Sequence, residues 1–316
     1  VLYVWFDAPI GYISATMEWA HNNGTPDAWK DWWQSDETRL VHFIGKDNIA
    51  FHTVVFPSML LGQGDAWDGS NFVLPWSVPA NEFYNLQGKK FSTSEGWYID
   101  NASFFENYNS DAARFHLLLS APETSDSEFN WNEFQSTNNS LLADKIGNLA
   151  SRVLKFANKR FDNKIPTVDC VLEDEFLTAS RASFAQISGF IESHELRKAA
   201  QALISGCSAL NQFFDKLEPW KKIKSEDPAE QMLCAQAIER CIAHFNLLSR
   251  RLAPFCPRSA TQLAEMLGDA ASGDTSWGSN EVNEVLAAGT ELGIAEVLFA
   301  KIDNDAIAAE IEKLKE

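Results

Sequence analysis

The amino-acid sequence predicts an α/β fold followed by an all-α fold in one chain of 316 residues. Three observations lead to this fold class. Short β-prone runs alternate with helical patterns in the first third of the chain, as in β-α-β units with a parallel sheet. After about residue 130, apolar residues recur at helical spacing in long segments. Prolines separate these segments, which indicates an antiparallel bundle with short connections.

The elements of the α/β part follow in chain order. A strand is expected in the opening run VLYVWFDA, after which Pro9 begins the helix PIGYISATMEWA. A second strand is expected at RLVHFIGKD. The helix NIAFHTVVFPSMLLG follows, with Asn48 as its N-cap and Gly62 as its end. A third strand is expected at SNFVLPWSV, so the sheet is smaller than the five or six strands usual in a doubly wound fold.

The all-α part consists of long amphipathic segments. The predicted helices are NEFQSTNNSLLADKIGNLASRVLKFANKRF, LEDEFLTASRASFAQISGFIESH, ELRKAAQALISGCSALNQFFDKL, PAEQMLCAQAIERCIAHFNLLSRRLAPF and the terminal NDAIAAEIEKLKE. The stretch AAGTELG between the last two is expected to be a loop.

The composition fits a soluble globular protein, with 45% hydrophobic and 22% charged residues. No apolar run approaches the roughly 20 residues that span a bilayer, so no membrane partner is expected. The net charge of −18 argues against nonspecific binding to polyanions, although it leaves room for a local basic strip. The five scattered cysteines form no C-x-x-C pair, which predicts reduced thiols in the cytoplasm and no zinc site.

Two strand ends carry residues suited to a ligand, since open parallel sheets bind ligands at the carboxyl ends of their strands. The first end carries Trp5, Ala8, Pro9 and Tyr12. These residues fit an aromatic wall for an elongated apolar side chain, and they also fit plain core packing. At the second end, Lys46 and Asp47 precede a helix start and suit ligand charges. His52 follows in that helix, where a lone histidine is more often a packing residue.

Residues 88–95, GKKFSTSE, place two lysines and three hydroxyls beside a glycine. Such a loop suits a phosphate, but taken alone it is more often an ordinary polar turn. In the bundle, Asn148 and Arg152 are four residues apart and share a helix face. Trp220 follows Pro219 in LEPWKKIK. Tryptophan with arginine, asparagine and lysine neighbours suits unstacked bases and phosphates, and a merely solvated charged face is about equally compatible.

Together, five motifs resemble the methionyl-tRNA synthetase family, which belongs to the class I aminoacyl-tRNA synthetases. They are, in order, YVWFDAPIGYIS, FIGKDNIAFHTVVFP, ANEFYNLQGKKFSTS, KIGNLASRVLKF and LEPWKKIK. KDN and NEFYNL are similar to its archaeal and eukaryotic-like branch. The resemblance spans nearly the whole chain. It implies the second half of a Rossmann-type parallel sheet followed by an antiparallel helical-bundle anticodon-binding domain.

The resemblance also implies a role for each matching residue. The methionine pocket is expected at Trp5, Ala8, Pro9, Tyr12, Asn48, Phe51, His52 and Phe56. The loop that binds ATP is expected at Lys89, Lys90, Phe91, Ser92, Thr93 and Ser94. The implied catalytic residues are Lys46, Asp47 and Lys90. The anticodon is expected to contact Asn148, Arg152, Pro219 and Trp220.

The implied reaction is the ATP-dependent ligation of L-methionine to its tRNA through methionyl-adenylate. ATP enters with Mg²⁺, and this chain is expected to bind no metal itself. The expected partner is a methionine tRNA with a CAU anticodon, and the protein is expected to be a cytoplasmic monomer. The expected domains are residues 1–96 (catalytic), 97–130 (connector to the tRNA stem), 131–290 (anticodon-binding) and 291–316 (loop and helix).

The sequence departs from the family pattern in three ways. The family's His-Ile-Gly-His motif and its connective insertion, which often carries zinc-binding cysteines, are absent and would precede Val1. The chain is therefore expected to be a fragment without adenylation activity of its own. Thr93 replaces the second lysine of the signature loop, and Glu95 stands where a basic residue is common. One hypothesis is that Lys89 partly compensates for the lost charge.

These departures leave an alternative open, a non-catalytic tRNA-binding protein that is a truncated or decayed paralogue. A protein that only binds tRNA would not need a methionine pocket, so the predicted pocket favours the enzyme. A third interpretation, another class I synthetase for an apolar amino acid, is disfavoured by DAPIGYIS together with LEPW.

Overall fold

The structure of the protein is a computed structural model that describes residues 8–63, 71–168, 175–268 and 287–314. The chain divides into two compact units. Unit 1 takes residues 1–83 and 122–127, and unit 2 takes residues 84–121 and 128–316, each within the described ranges. The strand predicted in the opening run lies outside them. The four-part domain division given above stays a prediction.

Unit 1 holds the remnant of a parallel sheet. Helix α1 (Ile10–Asn22) begins directly after Pro9, as predicted. Helix α2 (Trp29–Trp33) was not predicted. The described strands form two parallel pairs, β1 (Leu40–Val41) with β3 (Pro75–Ser77) and β2 (Ile44–Gly45) with β4 (Ala80–Asn81). The predicted β-α-β order is therefore confirmed.

The helix between β2 and β3 differs from the prediction at both ends. It starts as a 3₁₀ turn at Lys46–Asn48, widens to a π-helical turn at Phe51–Val55 and continues as α3 (Phe56–Gln63). Asn48 is therefore part of the helix and not its N-cap. Gly62 lies inside α3 and does not end it. The core of this unit is formed by Ile13, Ala20, Trp29, Trp33, Phe56 and Leu60.

Unit 2 opens with β5 (Tyr84–Leu86), which pairs with β6 (Ser127–Phe129). Helices α4 (Asn101–Asn107) and α5 (Ser110–Leu119) follow β5. Both have side-chain caps, since Asp100 accepts from the amide of Ser103 at 2.8 Å and Asn109 from that of Asp111 at 2.7 Å. Under them lies an aromatic cluster of Phe104, Tyr108, Phe129, Trp131 and Phe134.

The predicted helical bundle is confirmed. Its helices are α6 (Trp131–Ser136), a π-helical segment (Thr137–Gly147), α7 (Asn148–Arg160), α8 (Glu175–Glu192), α9 (Leu196–Leu217), α10 (Pro219–Lys222), α11 (Pro228–Leu252) and α12 (Pro257–Met266). Helix α9 packs against both α8 and α11. It does so because Ala199, Leu203 and Leu210 recur on one buried face.

The C-terminal segment packs along the π-helical segment Thr137–Gly147 and then forms the last helix, α13 (Asn304–Lys313). AAGTELG is a loop, as predicted, and Gly293 approaches α12 so closely that a Cβ would lie 2.1 Å from the Glu265 carbonyl oxygen. Asn138 donates to the Ala300 carbonyl at 2.8 Å. Asn139 bonds both backbone groups of Ile302, at 2.9 and 2.8 Å. These amides hold the backbone on either side of residue 301.

Candidate functional site

The first candidate site is an aromatic cluster in unit 1. The Tyr12 hydroxyl lies 3.0 Å from His52 Nε2. The centre of the Tyr12 ring lies 6.0 Å from that of Phe56. His52 and Phe56 are buried, whereas Tyr12 is 44% exposed. A solvent-facing ring backed by buried rings suits an elongated apolar side chain.

Hydrogen bonds fix the tautomer of His52. Its Nδ1 lies 3.0 Å from the carbonyl oxygen of Asn48, one turn earlier in the helix. Because a carbonyl only accepts, Nδ1 carries the proton and Nε2 accepts from the Tyr12 hydroxyl. The irregular helix after β2 thus places His52 where it orients Tyr12.

His42 belongs to the same cluster, and the sequence reasoning missed it. Its ring centre lies 5.0 Å from that of His52 and 5.5 Å from that of Tyr12. Burial, and secondarily the charge of His52, lower the pKa of His42 below its ordinary value. The sequence did show a histidine inside the apolar run LVHFIG. The strand prediction treated that histidine only as a strand residue and not as a site residue.

The other residues predicted for the methionine pocket lie close in the chain to Tyr12 or to His52. Pro9 is buried and Ala8 is exposed at the start of α1. Asn48 and Phe51 are half-buried in the helix after β2. Trp5 lies outside the described residues.

Lys46 sits at the end of β2 and is bound by two carboxylates that were not predicted. Its ammonium pairs with Glu82 and with Asp126, the latter at 3.4 Å. It also lies 4.3 Å from the centre of the Phe83 ring. The hydrogen bond that Lys46 donates to Glu82 is the main cause that raises the pKa of Lys46. Asp47, the next residue, is exposed.

The lysine loop, residues 88–95, begins with a tight hairpin turn in unit 2. Leu86 and Lys89 exchange both backbone hydrogen bonds, at 2.7 and 3.0 Å. Gln87 and Gly88 between them have φ values of 48° and 79°. Two consecutive positive φ values define a type I′ turn, which glycine adopts without strain. The amide of Gly88 donates to the carboxylate of Glu128.

The lysine loop closes on Trp97. The Ser92 amide donates to the Trp97 carbonyl, and the Trp97 amide donates to the Ser92 carbonyl, each at 2.9 Å. The Lys89 ammonium lies 4.6 Å from the centre of the Trp97 ring, and the indole N–H donates to Leu86 at 2.8 Å. Lys89 is therefore stacked on an aromatic ring. This contact weakens the hypothesis that Lys89 compensates for the charge that Thr93 lacks. Lys90, Thr93 and Ser94 are exposed.

Phe91, the apolar residue of the lysine loop, lies over an apolar cleft of about 180 Å³. Tyr84, Ile99, Phe104 and Leu117 line the cleft. The Phe91 side chain is 44% exposed, so its ring is only partly covered. The loop thus has one apolar anchor between its two basic residues and its hydroxyls.

The second candidate site is a stack on the bundle. The guanidinium carbon of Arg152 lies 5.1 Å from the centre of the Phe214 ring and 5.7 Å from that of Trp220. The two rings are 5.6 Å apart. Arg152 also donates to Asp215 at 3.2 Å. The structure therefore brings together Arg152 and Trp220, which the sequence had placed 68 positions apart.

The neighbours of this stack complete a surface that we call the anticodon face, made of Asn148, Arg152, Pro219 and Trp220. Asn148 is exposed one turn before Arg152 on α7. Glu218 has a φ of 45°, and this left-handed residue turns the chain from α9 into α10. Pro219 is buried, so it supports Trp220 and offers little surface of its own.

The described residues contain neither a metal site nor a membrane span. Among them, no three histidine, cysteine, aspartate or glutamate side chains lie together as a metal site requires. No helix in the described ranges is both long and apolar enough to cross a membrane. The cysteines described are buried and free, namely Cys207, Cys234, Cys241 and Cys256.

Comparison with known proteins gives two family models that follow one another along the chain. The model described as tRNA synthetases class I (M) matches residues 1–154. The model described as anticodon binding domain of methionyl tRNA ligase matches residues 169–315. These two matches place the chain among the class I aminoacyl-tRNA synthetases.

Curated relatives give the particular family. The methionine–tRNA ligase of Chloroherpeton thalassium is 37% identical and covers 99% of this chain and 45% of its own length. That of Salinibacter ruber is 40% identical, over 100% of this chain and 46% of its own length. The chain belongs to the methionyl-tRNA synthetase family, and it spans slightly less than half the length of these relatives.

Solved structures agree on the fold. The methionyl-tRNA synthetase of Mycobacterium tuberculosis in complex with methionyl-adenylate has a TM-score of 0.81 at 26% identity, over 95% of this chain and 56% of that one. The apo form of the M. tuberculosis enzyme has a TM-score of 0.79 at 23% identity, over 96% of this chain and 56% of that one, which supports the fold alone.

Proposed function

We propose that this chain is part of a methionine–tRNA ligase and supplies one side of the methionine and ATP site together with the anticodon face. The enzyme joins L-methionine to its tRNA through methionyl-adenylate, and ATP with Mg²⁺ is a substrate. The observation that carries the proposal is the presence in one chain of the Tyr12–His52 pair and the Arg152–Trp220 stack. A protein that only bound tRNA would need the second alone.

The aromatic cluster suits the recognition of methionine. A flexible thioether makes favourable contacts with ring edges, and the Tyr12 and Phe56 rings offer such edges. The pocket must reject shorter apolar side chains, a difference worth only about 1–3 kcal/mol per methylene. Rings held by a partly buried hydrogen bond, as Tyr12 is held by His52, provide the rigid wall that this discrimination needs.

The lysine loop suits the adenylation step. In that step a methionine carboxylate oxygen forms a bond to the α-phosphorus of ATP, and the bond to pyrophosphate breaks. The negative charge is spread over phosphate oxygens, so positioned cations and hydroxyls stabilise it. Lys90, Ser92 and Ser94 supply these groups in the proposal, while Lys46 and Asp47 lie beside the amino acid and ATP. Losing the lysine at position 93 is expected to cost about 3–4 kcal/mol of transition-state stabilisation.

The anticodon face suits a CAU anticodon. The Trp220 ring offers a platform on which a base can stack, and Arg152 offers planar donors held beside it. Arg152 is already paired with Asp215, so part of the positive charge of this face is neutralised. We further propose that the protein acts as a monomer in the cytoplasm and that its domains follow the four-part division predicted from the sequence.

The test is methionine-dependent exchange between ATP and pyrophosphate, measured on the full-length protein that contains this chain. The proposal expects exchange that stops when methionine is replaced by leucine, and it expects preferential binding of a tRNA with a CAU anticodon. Absence of exchange in the presence of CAU-specific binding would leave only the binding function.

A second candidate function is favoured by one observation in the lysine loop. Lys89 is stacked on Trp97, and Thr93 carries no charge, so the loop offers less positive charge than the family pattern does. This favours a non-catalytic tRNA-binding protein. Calorimetry with methionine separates the two, because only the enzyme requires an amino acid to bind.

A further inference from the structure

A carboxylate stands next to the exposed amide of the anticodon face. Asp144 Oδ1 accepts a hydrogen bond from Asn148 Nδ2 at 2.8 Å. The same oxygen accepts from the ammonium of Lys301, also at 2.8 Å. Asp144, Asn148 and Arg152 recur every fourth residue along one continuous helical run, so they lie on one side of it.

This arrangement fixes which end of the Asn148 amide faces outward. Lys301 can only donate, so the oxygen between it and Asn148 acts as an acceptor for both. The group of Asn148 that faces Asp144 is therefore its NH₂. Since the oxygen and nitrogen of a side-chain amide point apart, the Asn148 carbonyl oxygen is directed away from Asp144.

Lys301 is itself held in place from both sides. Asn138 binds the carbonyl of Ala300, and Asn139 binds both backbone groups of Ile302. The residue between them consequently has a fixed backbone from which to reach Asp144. Two amides, one ammonium and one carboxylate thus connect the C-terminal segment to the orientation of the Asn148 side chain.

We propose that Asp144 is a positioning residue that makes Asn148 present a hydrogen-bond acceptor to an anticodon base. The proposal rests on the function proposed above. Where uracil carries O4 and guanine carries O6, cytosine and adenine carry the amino groups N4 and N6, so an acceptor that faces this position selects cytosine or adenine. Uracil O4 and guanine O6 would place two acceptors face to face. The first two bases of CAU both carry such an amino group, so the chemistry of Asn148 suits either of them.

The positioning role can be separated from stability. The side chains of Asp144 and Lys301 are 43% and 56% exposed. Exposed ion pairs of this kind contribute little to folding. Variants at these positions should therefore keep the thermal midpoint of the wild type, and a change in base selectivity then reports on recognition.

The experiment measures binding of three anticodon stem–loop RNAs, CAU, UAU and CGU, to the whole 316-residue chain by fluorescence anisotropy. Wild type is expected to bind CAU at least about tenfold more tightly than one of the other two. Asp144→Leu keeps a similar size but removes the acceptor for the Asn148 NH₂, so the Asn148 amide can then flip. The roughly tenfold penalty, which is the weaker binding of that one RNA relative to CAU, is expected to fall to about twofold. The penalty for the other RNA is expected to stay as in wild type. The penalty that falls identifies the base that faces Asn148.

Two variants complete the test. Lys301→Met leaves Asp144 without its second donor and is expected to reduce the same penalty in part. Asp305→Asn removes an equal charge from an exposed position on α13 and is expected to leave all three affinities unchanged. Retention of both penalties in Asp144→Leu and Lys301→Met overturns the positioning role, and so does an equal loss for all three RNAs. A wild type that binds the three RNAs equally overturns the proposed anticodon function itself.

Discussion

The guanidinium of Arg152 lies 5.7 Å from the centre of the Trp220 ring, although the two residues belong to different helices, α7 and α10. The guanidinium also lies 5.1 Å from the centre of the Phe214 ring. A planar cation that contacts two adjoining rings is held in one orientation, so it loses little mobility on binding. This pre-organised stack is the part of the anticodon face on which a base can be placed.

Replacing Trp220 by alanine is expected to weaken selectivity for a CAU anticodon. The substitution removes the stacking platform, which is worth about 1–3 kcal/mol per base. The measurement compares the affinities of wild type and variant for a CAU tRNA and for a tRNA with a mutated anticodon. Trp32→Ala is the matched control, since Trp32 is 57% exposed on α2 in unit 1. Equal binding of both tRNAs by the wild type would sink the assignment of Trp220.

Replacing Tyr12 by phenylalanine is expected to lower the affinity for methionine. The variant keeps the ring but leaves the buried His52 Nε2 without its donor, a loss of about 0.5–1.5 kcal/mol. Titration calorimetry with methionine measures this loss. The control is Tyr98→Phe in unit 2, where the tyrosine is exposed. An unchanged affinity would mean that the Tyr12 hydroxyl plays no part in holding the pocket.

Replacing Thr93 by lysine tests whether the lysine loop has lost a working cation. In the full-length protein, methionine-dependent pyrophosphate exchange is expected to rise by up to about 10²- to 10³-fold, because the new ammonium can stabilise charge on the leaving phosphates. Thr261→Lys adds the same charge on an exposed face of α12 and should leave the rate unchanged. If exchange is the same in Thr93→Lys and wild type, Thr93 is not a lesion.

Local patterns in the sequence predicted the elements on which these sites stand. Pro9 predicted the start of α1, and the helical spacing predicted α7 and α9 with their buried faces. Such features depend on residues only a few positions apart, since the period of an apolar stripe is itself the secondary-structure signal. The fold class therefore followed from the sequence before any contact was known.

What the sequence missed depends on contacts between distant residues or on irregular backbone. Glu82 and Asp126 reach Lys46 from 36 and 80 positions away, so no spacing predicts them. The 3₁₀ turn at Lys46–Asn48 makes the helix after β2 begin before Asn48, contrary to the N-cap prediction. His42 was hidden because a histidine in an apolar run carries no sign of the rings that will surround it.

Acid is expected to destabilise the folded protein through His116. This histidine is buried on α5 with its Nδ1 3.2 Å from Thr137 Oγ1, and burial lowers its pKa to about 4. In the unfolded chain a histidine titrates near about 6.5. Between these values the unfolded state binds a proton that the native state does not. The free energy of unfolding therefore falls as pH falls through this window, by up to about 1.4 kcal/mol per pH unit for this group.

Urea unfolding of wild type and His116→Gln at a series of pH values isolates this contribution. The variant cannot titrate at position 116, so the slope of its unfolding free energy against pH should be smaller by about one proton between pH 6 and pH 4.5. Every other group contributes equally to both proteins and cancels in the difference. The matched control is His21→Gln, because His21 is exposed in α1. Parallel pH profiles for wild type and His116→Gln would contradict the prediction, since they would mean that His116 takes up its proton without unfolding.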